Sequence, residues 1–204
     1  MTAATPAPAF SGAVLCGGAS RRMGRDKAMV EMGGRPLALG VAGALQEAGA
    51  GEVFAVGGDL RALADLGLEA IPDDQAGEGP LGGVLTALRH ASDPVVVVLA
   101  CDLAGAQPRA VRQTVAALAA DPHLACAVPV VDARLQPLHG AWRRSARPEL
   151  QAMFDRGERA MHRVIAGLAT AEVNGIDPAA LVDVDTAADI DAFSLSLRPL
   201  PSSN

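Results

Sequence analysis

The stretch GAVLCGGASRRMGRDK, from Gly12 to Lys27, decides how the rest of the chain is read. Val14, Leu15 and Cys16 read as the end of a buried strand, and Gly17 and Gly18 remove side chains where the chain must turn. N–H groups freed by such a turn form a concavity suited to anions. Ser20, Arg21, Arg22, Arg25 and Lys27 then add donors and positive charge, with Asp26 the only acid among them. A triphosphate requires this combination of close backbone approach and mobile cations, because charge builds on its leaving group during attack.

Neither of the two common phosphate-binding glycine motifs is present. Gly24 is followed by Arg25 rather than Lys-Ser, which excludes the P-loop, and the dinucleotide pattern G-x-G-x-x-G is absent. The pattern that stands here is L-x-G-G-x-S-x-R-M-G-x-D-K.

At 204 residues the chain has room for one domain with a full core. We assign that domain to residues 11–197 and expect disordered tails at 1–10 and 198–204. Half the residues are hydrophobic but only 2% are aromatic. The core is therefore built from Leu, Val, Ile and Ala, a composition suited to a parallel sheet covered by helices. A net charge of −6 argues against a nucleic-acid partner, which needs a basic face. The longest apolar run, Val95 to Cys101, falls far short of the ~20 residues that cross a bilayer, so no membrane association is expected. Cys16, Cys101 and Cys126 are odd in number, distant in sequence and free of C-x-x-C spacing. They read as reduced core thiols of a cytoplasmic protein, with a catalytic thiol near the site as the alternative.

Taken in order, the elements alternate strand and helix. Pro36 opens a helix with Leu37, Val41 and Leu45 on one face, Val53–Val56 is a second strand, and Leu68–Ile71 is a third that ends at Asp73 and Asp74. Gly79, Pro80, Leu81, Gly82 and Gly83 then place glycine N–H groups at a helix start, which favours negative charge or a base edge. Val95 to Cys101 is the clearest buried strand, and it ends in Asp102. A carboxylate there, on the same edge as the glycine loop, is placed to hold Mg²⁺ against triphosphate oxygens; a helix N-cap is the bland alternative. Leu124–Val131 turns through Asp132, Ala133 and Arg134 into Leu135–Trp142, which implies an antiparallel partner. The expected fold is a three-layer α/β/α sandwich, Rossmann-like and mostly parallel with one antiparallel strand, with ligands along the carboxyl edge. Thr186 and Asp189 form a capping box for the last helix.

The glycine loop resembles the signature of the nucleotidyltransferase superfamily, most closely the molybdenum cofactor guanylyltransferases, whose fold is that of the nucleotide-diphospho-sugar transferases. The resemblance extends from Gly12 to Phe193. It implies transfer of GMP from Mg·GTP to the phosphate of Mo-molybdopterin, with pyrophosphate released and Mg²⁺ as cofactor. Leu15, Cys16, Gly17 and Gly18 would supply backbone contacts, Arg22 and Lys27 would neutralise the triphosphate, and Asp102 would bind the metal. The D…GPL-G-G segment of the family holds base and ribose, which assigns Asp73 and Gly82 to the nucleoside, with Asp74 as an adjacent competitor. QPLHGAW is similar to the stretch that lines the acceptor side, which places Gln136 and His139 there; a hydrogen-bonded edge histidine is the other reading of His139. Gly157, Glu158 and Arg159 look like a G-x-R link whose cation meets a pterin phosphate or stays in solvent. Proteins that deliver molybdopterin or mature molybdoenzymes are the implied protein partners.

The chain departs from the family twice. Leu103 and Ala104 follow Asp102 where the family has C-D-x-P, and Asp183 and Asp185 stand in place of N-x-N-T. The D-x-D-T version is commoner in cytidylyl relatives, and it makes Asp185 a second candidate metal ligand. Two alternatives therefore stand beside the guanylyl reading: a related enzyme that uses CTP or another phosphate acceptor, and a nucleotide- or pterin-binding carrier without catalysis.

Overall fold

The computed structural model describes residues 8–17 and 26–196, without the side chains of Ala187, Ser194 and Ser196. The expected tails at the extreme ends, residues 1–7 and 197–204, lie outside that description. Strand β1 (Phe10–Leu15) begins at Phe10, inside the stretch assigned to the leading tail, because Phe10 is buried and pairs with Val95.

β1 sits at the centre of the sheet, parallel to β4 (Val53–Val56) on one side and to β6 (Val95–Ala100) on the other. β5 (Glu69–Ile71) extends the sheet beyond β4. Beyond β6 lie β9 (His139–Arg143), β7 (Cys126–Val131) and the edge strand β10 (Thr170–Val173), in the order β10-β7-β9-β6-β1-β4-β5. β9 runs antiparallel to both of its neighbours, while β7 and β10 run parallel to each other. The two-residue strand β8 (Arg134–Leu135) closes a tight turn back onto β7, with Asp132 and Ala133 at φ 49° and 58°. A small separate hairpin pairs β2 (Glu31–Met32) with β3 (Arg35–Pro36).

Helices cover both faces of the sheet. Val41 and Leu45 of α1 (Leu37–Ala48), Leu63 of α2 (Leu60–Asp65) and Val111, Val115 and Leu118 of α4 (Pro108–Ala119) pack on one face with Val14, Val97 and Leu99. Leu81, Val84 and Leu88 of α3 (Pro80–His90), Leu150 of α5 (Arg147–Asp155) and Val164 of α6 (Met161–Ala166) pack on the other with Val96 and Val98. The alternate Val residues of β6 thus feed two different cores, which is why an unbroken β-branched run is the right composition for this strand. α7 (Ala187–Ser196) closes the described chain; at its start the Asp189 carboxylate accepts from the Thr186 N–H and hydroxyl, and the Asp189 N–H donates to that hydroxyl. The expected mixed three-layer sandwich is thereby realised. No helix among the described residues is long and apolar enough to cross a membrane.

Candidate active site

A cavity of about 820 Å³ opens at the carboxyl ends of the central strands. On the β4–β5 side it is lined by Gly17, Val56, Asp73, Gly77, Gly79 and Gly83, and on the β6–β9 side by Asp102, Leu103, Gln136–His139, Leu181 and Asp183.

The floor at Gly17 is kept open by crossed glycines. Gly57 has φ 72°, and a Cβ there would sit 3.1 Å from the Gly17 Cα, so the turns after β1 and β4 approach each other as bare backbone. The Cys16 N–H donates to the Val56 carbonyl and the Leu15 carbonyl accepts from the Cys101 N–H. Those two groups serve the sheet rather than an anion, while Leu15 and Gly17 themselves line the cavity. The Cys16 side chain points into the core. Its hydrogen bond with Cys101, and then its burial, hold the thiol far above its usual pKa, the opposite of what a nucleophile needs. The three cysteines are free and buried.

Asp73 reaches the cavity at the end of β5. Its Oδ1 accepts from the Thr86 hydroxyl and the Gln75 N–H, both at 3.0 Å. Asp74 turns outward to a two-pronged pair with Arg89 at 2.6 and 3.0 Å, so of the two acids it is Asp73 that lines the cavity. Gly82 does not face the cavity. A Cβ there would meet the Gln75 side chain at 2.7 Å, so this glycine lets α3 pack against the preceding loop, and its neighbour Gly83 lines the cavity instead.

Lys27 begins a 3-10 turn capped by Asp26, which accepts from the Ala28 N–H and, through its other oxygen, from the Asp59 N–H. So anchored, the Lys27 ammonium donates to Asp102 at 3.0 Å and to Asp185 at 2.5 Å. Burial alone would lower its pKa, but the hydrogen bonds and charges of Asp185 and Asp102 outweigh burial and raise it, so Lys27 stays charged. Asp185 arrives because the segment before α7 is laced to the loop after β6. Leu103 and Asp183 form an isolated antiparallel bridge, the Val184 N–H donates to the Asp102 carbonyl, and the Gly105 N–H donates to the Val182 carbonyl. Asp102 is not a helix cap, since Gln107 occupies that place for α4. Burial, followed by the charges of Asp102 and Asp185, pushes the Asp183 carboxyl up to about 6.

His139 and Gln136, the two residues assigned to the acceptor side, both line the cavity. The alternative of a hydrogen-bonded edge histidine is overturned. His139 lies on an interior strand between β6 and β7, is 2% exposed, and neither ring nitrogen has a partner among the described residues. Arg159 stands away from the cavity lining. It binds Glu78 and the Phe154 and Glu158 carbonyls and stacks on the Phe154 ring at 3.6 Å, tying the α5–α6 link to the loop that carries Gly77 and Gly79. Gly18 and Arg22, with Ser20, Arg21 and Arg25, fall outside the described residues. Thr86, Asp26 and Asp183 are the site groups that motif reading missed. For Asp26 the signal was present, an acid two residues before a backbone N–H in need of a cap.

A parallel-stranded sheet that opens a glycine-floored cavity at its carboxyl edge, with a lysine and carboxylates on the rim, defines a nucleotide-binding α/β enzyme architecture. Residues 12–173 match the family described as the MobA-like NTP transferase domain, and the chain belongs to it. The family expected from the loop motif is the family found. A "Probable molybdenum cofactor guanylyltransferase" of Chloroflexus aggregans is 35% identical over 165 residues, 78% of this chain and 77% of that one. One of the same name from Pyrococcus furiosus is 36% identical over 157 residues, 76% and 78% of the two chains. In fold, the solved molybdopterin-guanine dinucleotide biosynthesis protein A from Archaeoglobus fulgidus is similar with a TM-score of 0.74 and 23% identity, over 91% of this chain and 97% of that one.

Proposed function

We propose that the protein transfers GMP from Mg·GTP to the terminal phosphate of Mo-molybdopterin, yielding the guanine dinucleotide form of the cofactor and pyrophosphate. The observation that carries this reading is the Lys27 ammonium held by Asp102 and Asp185 beside the glycine-floored cavity. The names of the similar proteins support guanine and molybdopterin as the particular substrates.

In this scheme an oxygen of the acceptor phosphate forms a bond to the α-phosphorus of GTP. The bond from that phosphorus to the bridging oxygen breaks, and pyrophosphate leaves with the electron pair. The acceptor phosphate is already ionised at neutral pH, so neither a covalent enzyme intermediate nor a general base is needed. The protein contributes alignment and charge neutralisation. Gly17 and Gly18 admit the phosphates, Asp73 and the glycines at the start of α3 hold the nucleoside, and Lys27 and Arg22 offset charge on the triphosphate. Gln136 and His139 face the acceptor.

The donor set suits Mg²⁺. Among the described residues no group of three His, Cys, Asp or Glu side chains is arranged to hold a metal alone. Mg²⁺, however, is ordinarily bound by one or two carboxylates with phosphates completing its shell. Asp102 and Asp185 share the Lys27 ammonium, and Asp183 stands beside them with its pKa raised by burial first and then by their charges. Asp102, with Asp185, would hold the ion. When bound it neutralises phosphate oxygens during transfer. The three unpaired thiols support a reducing compartment, the cytoplasm, and the supply of molybdopterin implies a delivering protein partner.

Calorimetric titration of GTP and CTP, each with Mg²⁺, into the purified protein tests the assignment. GTP binding without a CTP signal is expected. A preference for CTP would move the protein to the cytidylyl relatives suggested by Asp183 and Asp185, and nucleotide binding without pyrophosphate release on adding molybdopterin would make it a carrier.

A further inference from the structure

His139 carries hydrogen-bonding capacity that the transfer chemistry above does not use. Neither Nδ1 nor Nε2 finds a partner among the described residues, although the residue is almost wholly buried. Leaving buried donors and acceptors unpaired costs stability, so a position that served packing alone would be better filled by Leu. The surroundings restrict what the imidazole can meet. Leu103, Pro137, Leu138 and Leu181 line the same end of the cavity, and no Lys or Arg is among its described lining residues. Among the described residues of this wall a phosphate meets no counter-charge, whereas a flat ring gains apolar contact on its faces. Burial lowers the His139 pKa to about 4, so at neutral pH the ring is uncharged and offers one donor and one acceptor. That pair is complementary to the amide-like edge of a fused heteroaromatic ring.

We propose that His139 is a specificity-determining residue of the acceptor end, hydrogen-bonding the polar edge of a pterin ring that packs on the Leu103–Leu138–Leu181 side of the cavity. This rests on the transferase reading and adds to it the part of the acceptor that this wall reads: the ring, not the phosphate.

His139→Leu and His139→Gln test it in two assays. In steady-state turnover, His139→Leu should raise the KM for Mo-molybdopterin by about 10-fold or more while the KM for GTP stays within about twofold. His139→Gln, which keeps a donor and an acceptor, should remain close to wild type. Thermal unfolding should show His139→Leu more stable than wild type, an effect opposite to that of a residue kept for structure. Fluorescence titration with free pterin needs no turnover and should show weaker binding to His139→Leu than to wild type. An unchanged acceptor KM, an equal loss of GTP affinity, or pterin titrations identical in wild type and variant would each overturn the inference. Wild-type protein that releases no pyrophosphate would instead overturn the transferase reading, and the pterin titration would still decide the role of His139.

Discussion

The two ends of the cavity are finished to different degrees. Toward β4 and β5, Asp73 accepts from Thr86 and Gln75, Asp74 is held by Arg89, and Arg159 braces Glu78 in the loop beside α3. Toward β6 and β9, the His139 ring has no partner among the described residues, Asp183 is pushed toward protonation by burial and by the charges of Asp102 and Asp185, and those two carboxylates share one lysine. The first end is preorganised, so it should accept its ligand with little rearrangement. The second holds hydrogen-bonding capacity and negative charge in reserve, to be satisfied when metal and acceptor arrive. Residues at the first end should therefore act on binding alone, and residues at the second on turnover and on the stability of the empty protein.

The largest effect should come from the second end. Lys27→Ala removes the cation shared by Asp102 and Asp185 and should lower the rate of pyrophosphate release by about 10³-fold, with an unchanged circular dichroism spectrum. A rate near wild type would break the contrast, because the lysine would then be no more than a structural tie. Next comes stability against pH. Burial holds His139 at about 4 against an ordinary 6.5, so between those values the unfolded chain takes up a proton that the folded chain refuses. The stability is fully present above the ordinary value and falls as pH drops toward the folded one, by roughly 3 kcal/mol. Denaturant midpoints at about pH 7 and about pH 4 should show wild type losing more than His139→Leu by that amount; equal losses would mean that the buried imidazole is partnered after all.

Smaller changes are expected at the first end. Asp73→Ala should raise the GTP KM by about 10-fold, as for a lost charged hydrogen bond, and leave kcat nearly unchanged. Thr86→Val removes a partner of Asp73 but no contact with ligand, and should raise the same KM only a few-fold. A fall in kcat equal to the rise in KM in either variant would place transition-state contacts where we place ground-state binding.

The central strands were legible because their signals are local. β6 is a β-branched run buried on both faces, and β1 ends in glycines that nothing but a turn or a ligand would require. β10 escaped notice because it is short, half-exposed and lies on the edge, so neither alternation nor a buried run marks it. The β2–β3 hairpin is too brief to carry a period. Within the site, Lys27 and Asp102 could be named from motifs, but the contact of Lys27 with Asp185 joins residues 158 positions apart, and no spacing encodes it. The surroundings of His139 were not legible, because its burial depends on β9 being inserted between β6 and β7. Arg159 shows the reverse error: a cation beside a glycine suggests a free charge, but the charge is engaged by Glu78 and two carbonyls.

The bridge between Leu103 and Asp183 joins the acidic segment to a sheet that is already complete, since the last strand ends at Val173, where the family match also stops. Positions 183 and 185 therefore lie outside every strand register and helix interface that the fold depends on. Exchanging Asp for Asn there would change the charge beside Lys27 and Asp102 while leaving the packed core untouched.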